Sequence, residues 1–135
     1  MFECDPEWIN ALLKTFEPWK KKIFIVNKFV SDINNNKYIT LDTFFNEKKI
    51  NFIKADIEGM EINLLNGMRQ LFNNSNLKLL LCTYHNKNDA IEIQSILENN
   101  KFTTEYSKGY MITYFDKFLE EPYIRRGVIR AFKKI

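Results

Sequence analysis

Phe52-Ile53-Lys54-Ala55-Asp56-Ile57-Glu58-Gly59-Met60-Glu61 is the stretch on which the reading of this chain turns. A short apolar run, too brief for a buried helix, is closed by an acid. A second acid, a glycine and a third acid follow, and then a helical pattern begins. The spacing predicts a strand whose carboxyl end carries Asp56, a tight turn at Gly59 and a helix starting near Met60. Ligands of open α/β sheets sit in the crevice beyond the carboxyl ends of the strands. Asp56 and Glu58 are therefore placed on the rim where chemistry is expected.

Downstream, Leu64, Leu65, Met68, Leu71 and Phe72 form one helical face, stopped by Asn73-Asn74-Ser75-Asn76. Leu77 to Tyr84 is the most apolar run of the chain and predicts an interior strand covered on both faces. His85, the only histidine, follows it and should emerge beside Asp56 at the same rim. Asp89 to Asn99 reads as a helix with Ala90, Ile93, Ile96 and Leu97 inward. Phe102 to Tyr106 and Tyr110 to Phe115 flank Ser107-Lys108-Gly109, which predicts a hairpin. A last strand, Gly127 to Lys133, follows Pro122.

Upstream, Met1 to Cys4 reads as the end of a strand, with Asp5 capping a helix and Pro6 at its first position. Trp8, Ile9, Leu12, Leu13 and Phe16 repeat at helical spacing. Ile23 to Val26 is a strand by composition, prolonged through Phe29-Val30, and Asn34 to Asn36 a turn. Tyr38 to Leu41 predicts a short strand and Leu41 to Lys48 a short helix, with Asp42 as a candidate cap. Helices and strands alternate through the first two thirds, then strands cluster. That order predicts an α/β domain over residues 1–135 with a mostly parallel sheet and an antiparallel edge. No repeat, linker or low-complexity tract interrupts it.

The chain has 135 residues, 45% of them hydrophobic and twelve of them phenylalanine, enough for a filled core. Its net charge of +3 is a mild excess. The basic clusters, Lys20 to Lys22 and the group Arg125, Arg126, Arg130, Lys133 and Lys134, read as solvated surface, and no nucleic-acid role is expected. Cys4 and Cys82 show no zinc spacing and are expected to be reduced, as in a cytoplasmic protein. No leader and no apolar run of about 20 residues is present, so no membrane segment is expected.

Phe52 to Glu61 followed by Leu64-Leu65-Asn66-Gly67 resembles the central motif of FkbM-type methyltransferases. Further resemblances follow in chain order. Phe2-Glu3-Cys4-Asp5-Pro6 is similar to the cofactor-side acid ending the family's second strand, and Thr40-Leu41-Asp42 to the segment before the fourth. Cys82-Thr83-Tyr84-His85 resembles the end of the fifth strand, and Tyr123 to Ala131 the closing strand. The resemblance implies a class I, Rossmann-like methyltransferase fold with S-adenosylmethionine as cofactor. It also implies transfer to a hydroxyl oxygen of a sugar-like, glycan or secondary-metabolite acceptor.

The family's first strand and glycine-rich loop are expected before Glu3, and none of the four glycines forms Gly-x-Gly. The chain is therefore read either as a fragment or truncated form, or as a sheet that closes up without that strand, and its cofactor affinity is expected to be weak or absent. Its exposed sheet edges would favour a homodimer. A non-catalytic remnant or interaction module is the second reading.

Methyl transfer from a sulfonium is an in-line displacement, so positioning and a dry pocket matter most, with a base for a hydroxyl acceptor. Asp56 is the expected active-site acid, since a carboxylate closing an apolar strand needs a polar crevice or a helix N-terminus. The alternative is a structural acid bonded to amides around Gly59. His85 is the candidate base, against a hydrogen-bonded structural role. Tyr84 could offer its ring to the sulfonium, although core packing is the better account of it.

By resemblance Glu3 would bind the cofactor ribose and Asp32 would lie near the adenine, although Asn34 to Asn36 suggest an ordinary turn there. Glu58, in the turn facing the expected pocket, is the third candidate cofactor-binding residue. Glu61 is explained by the helix dipole alone. No metal is expected. A metal-dependent hydrolase built on Asp56, Glu58 and His85 ranks last, because Asp-x-Glu lacks the extra lysine or histidine of such sites.

Overall fold

The computed structural model describes residues 1–46, 48–112 and 120–133. Thr113 to Phe115 of the expected hairpin, Glu47 of the expected short helix and Lys134 of the basic group lie outside them.

Strand β1 (Phe2–Glu3) leads into helix α1 (Pro6–Thr15). Asp5 caps that helix, its side chain accepting from the Glu7 N–H at 2.8 Å, with Pro6 in the first turn. The apolar stripe of α1 is barely covered. No residue of it is buried, and Trp8 and Leu13 are 63% and 55% exposed. Instead of one strand over Ile23 to Val30 there are two short ones, β2 (Val26–Asn27) and β3 (Phe29–Val30). β2 pairs parallel with β1, and β3 parallel with β4 (Tyr38–Ile39).

Helix α2 (Leu41–Phe45) is capped by Thr40, whose hydroxyl accepts from the Thr43 N–H, and not by Asp42. The Asp42 carboxylate reaches forward and accepts from the N–H groups of Gln70 and Leu71. It thereby caps the short 3₁₀ turn at Leu71–Asn73.

The central sheet has the order β5 (Phe52–Ala55), β6 (Lys78–Cys82), β10 (Val128–Phe132), β7 (Thr103–Tyr106). β5 and β6 are parallel, and β10 runs antiparallel to both its neighbours. This mixed α/β sheet agrees with the expected fold class, its antiparallel part being broader than an edge. The expected hairpin does not form among the described residues. β7 joins β10, while β8 (Tyr110–Ile112) pairs with β9 (Ile124–Arg126). Gly127 separates β9 from β10, so the run from Tyr123 to Ala131 serves two sheets.

Register explains the burial. Ile53, Ala55, Leu79, Leu81, Ile129 and Ala131 share one face of the sheet. Most are buried with Leu64, Leu65 and Met68 from the region of α3 (Glu61–Asn66) and with Ile93 and Leu97 of α4 (Asp89–Asn99). Burying each such side chain contributes roughly 1.5–3 kcal/mol. The opposite face carries Phe52, Leu80 and Phe132 beside Lys78 and Arg130, which line an apolar groove of about 940 Å³. Thus among the described residues β6 is covered fully on one face only, where the sequence reading of Leu77 to Tyr84 expected cover on both. Among the described residues no strand pairs with the outer edge of β5 or bridges it to β1.

Candidate active site

Parallel register sets Ala55 opposite Leu81, so the chain leaves β5 and β6 on the same side. Asp56 follows β5 directly, and His85 lies in the loop after β6. The structure brings them together, with His85 Nε2 3.4 Å from Asp56 Oδ1. Tyr84 donates its hydroxyl proton to the same Asp56 oxygen at 3.0 Å, so its phenol serves the site and not core packing.

Between strand and helix the backbone turns tightly, with Glu58 at φ +54° and Gly59 at φ +90°. A side chain at Gly59 would be strained in that region and would meet Asn86 Nδ2 at 2.9 Å. Asn86 fastens the two loops. Its amide donates to the Gly59 carbonyl at 3.3 Å, and its main-chain N–H donates to buried Asp89 at 2.7 Å. The turn leaves Glu58 exposed, its Oε2 3.7 Å from His85 Nε2.

Glu61 has a role the helix-dipole account missed. It is fully buried, accepts from the Ile57 N–H at 2.9 Å and places Oε1 3.2 Å from His85 Nδ1. That approach lacks hydrogen-bond alignment. Among the described residues, Nδ1 of His85 and Oε2 of Glu61 are both buried without a hydrogen-bond partner. Asp56, Glu61 and His85 can each offer one ligand atom, all within 4.8 Å of one another. This donor set has Glu61 where the metal-dependent reading of the sequence had Glu58.

These neighbours fix the protonation chemistry. Glu61 raises the His85 pKa above its usual value, with burial opposing and the charges of Glu58 and Asp56 adding to the rise. Burial pushes the Glu61 carboxyl up, but His85 and main-chain N–H donors outweigh it and leave it below the usual carboxylate range. Burial, with the Asp56 carboxylate next, pushes the Cys82 thiol up to about 11, which leaves it protonated at neutral pH. Burial and the hydrogen bond to Asp56 push the Tyr84 phenol up as well, so it remains a donor.

Arg125, read from sequence as solvated surface, is buried. Its guanidinium donates to the carbonyls of Tyr84 at 3.0 Å and His85 at 2.7 Å. Other N–H groups donate to the Glu120 and Pro122 carbonyls at 2.6 and 3.0 Å. It clamps the loop that carries His85, and no sequence spacing signals this because the partners are some forty positions away.

Two expected residues stand apart from this cluster. Glu3 ends β1 and accepts from the N–H groups of Cys4 and Asp5. Asp32 accepts from the Ser31 hydroxyl and from Asn63 at the start of α3, and these bonds lower its pKa. Among the described residues no hydrogen bond or ion pair joins either one to His85.

A family model described as the methyltransferase FkbM domain matches residues 11–119. No curated protein matches the chain. Among solved structures, the chain is similar to a methyltransferase FkbM from Methylobacillus flagellatus KT, at 20% identity and a TM-score of 0.71, covering 98% of this chain and 35% of that one. It is also similar to a precorrin-6y C5,15-methyltransferase from Geobacter metallireducens GS-15, at 14% identity and a TM-score of 0.60, covering 98% of this chain and 65% of that one. At these identities the likeness speaks for the fold. The chain spans about a third of the length of the first of these structures. With the FkbM family model covering most of the sequence, this chain belongs to the FkbM methyltransferase domain family.

Proposed function

We propose that the chain serves S-adenosylmethionine-dependent methyl transfer to a hydroxyl oxygen of a small-molecule or glycan acceptor. The observation that carries this reading is the meeting of Asp56 and His85 at the carboxyl rim of two adjacent parallel strands, in a member of this family. The cofactor would supply an electrophilic methyl group. The chain's own residues would bind, orient and handle one proton.

In this reading Asp56 and His85 receive the acceptor hydroxyl. The Tyr84 hydrogen bond holds the Asp56 carboxylate in place. Glu61 raises the His85 pKa above its usual value, which makes the imidazole a stronger proton acceptor. The acceptor hydroxyl's proton would pass to this pair as its oxygen becomes nucleophilic. Glu3, Asp32 and Glu58 are the candidate cofactor contacts.

Titration of the chain with S-adenosylhomocysteine, followed by ¹⁵N–¹H spectra, tests the reading. Saturable shifts are expected at the amides of Glu3 to Asp5 and Asp56 to Gly59, with weak affinity near the millimolar scale, about 4 kcal/mol of binding. Shifts confined to the groove by Phe52 and Phe132, or none, would refute it.

A further inference from the structure

We infer that Asp56, Glu61 and His85 form a binding site for one divalent first-row metal ion. The argument begins with Glu61, a carboxylate with no exposure whose Oε2 meets no donor among the described residues. An unpaired buried carboxylate oxygen costs more than an unpaired neutral group, on the order of several kcal/mol, unless a cation or proton meets it. His85 Nδ1 is buried and unpartnered beside it. Asp56, on the neighbouring strand end, completes three donors within 4.8 Å of one another. A set of two carboxylates and one imidazole suits Mn²⁺ or Zn²⁺, while Mg²⁺ would favour oxygen ligands alone.

The frame around these donors is already built. The Ile57 N–H fixes the other Glu61 oxygen, Tyr84 fixes Asp56, and Arg125 holds the carbonyls of Tyr84 and His85. Outer partners of this kind orient ligands in metal sites. Asp56 stays partly open, with a side chain 39% exposed, which gives an ion a way in and leaves room for a further oxygen ligand. Binding of the ion stands independently of the proposed transfer. Its use there, lowering the pKa of a coordinated acceptor hydroxyl so that its proton passes to solvent, rests on that proposal and would make His85 a ligand instead of the base.

The test uses the chain stripped with chelator, with no methyl donor present. Mn²⁺ is followed by loss of its free-ion electron paramagnetic resonance signal, and Zn²⁺ by competition with a chromophoric chelator. One ion per chain is expected, with affinity reduced about tenfold or more in Asp56→Asn and in His85→Ala and unchanged in the exposed control Glu92→Gln. Glu61→Gln should behave like the first two, and circular dichroism shows which variants fold. No stoichiometric uptake of either ion, or equal uptake by Asp56→Asn and His85→Ala, overturns the inference. Because this titration omits methyl donor and the S-adenosylhomocysteine titration omits metal, each proposal can fail alone.

Discussion

Arg125 shows how much a single side chain can settle here. A guanidinium with little exposure has given up its water, and it recovers hydrogen bonds only by meeting four carbonyls at once. Replacing it by methionine keeps the length but leaves those carbonyls without donors, each loss worth about 1 kcal/mol. Arg125→Met should therefore lower stability by roughly 2–4 kcal/mol, read by urea unfolding, and Arg125→Lys should recover only part of it because an ammonium lacks the planar fork. An Arg125→Met variant as stable as the parent would mean the clamp carries nothing.

At the scale of the element, the ends of the helices are the sensitive points. Gly67 closes α3 with an ordinary negative φ, yet a Cβ there would lie 2.0 Å from the Ser31 carbonyl oxygen. Main chain cannot swing aside as a side chain can, so the constraint is space and not conformation. Gly67→Ala should cost about 2 kcal/mol or more, seen as a clear fall in the thermal midpoint.

Helix α4 is tied to β7 by the Tyr106 hydroxyl, which donates to the Ala90 carbonyl at 2.6 Å and lies 3.0 Å from Gln94 Oε1. Burial is the main reason the Tyr106 pKa is raised. A group with a folded pKa above its unfolded value, about 10, contributes stability below that pH and loses it as pH rises further. Tyr106→Phe should be less stable than the parent by about 1 kcal/mol at pH 7, and urea midpoints should converge above about pH 10. A gap that widened there would contradict the assignment.

Across the whole molecule the two faces of the central sheet are unequal. One is sealed by α3 and α4, and the other presents the groove of Phe52, Leu80 and Phe132 to its surroundings. Scattered apolar residues are ordinary on protein surfaces, but a continuous groove of about 940 Å³ is not. The native chain should bind an apolar dye such as anilinonaphthalene sulfonate, with Leu80→Lys strongly reducing the fluorescence. Leu80 is only half-buried, so that variant should keep most of its stability. Equal dye binding by parent and variant would place the apolar surface elsewhere. Among the described residues no helix is long and apolar enough to cross a membrane.

The sequence by itself determined what depends on near neighbours: the strand ending at Asp56, the turn at Gly59, the cap at Asp5, the helix over Asp89 to Asn99, and the order of strands and helices that placed His85 beside Asp56. Period, cap and turn chemistry act over a few residues, so the chain announces them. Tertiary structure alone decided which distant groups close the polar circuits. It buried Glu61 against His85, sent the Asp42 carboxylate to Gln70 and Leu71, sank Arg125 beneath the His85 loop, and paired β7 with β10 instead of β8. A buried charge takes whichever partner the fold brings within about 3 Å, and that choice is made by packing between segments that local pattern does not link.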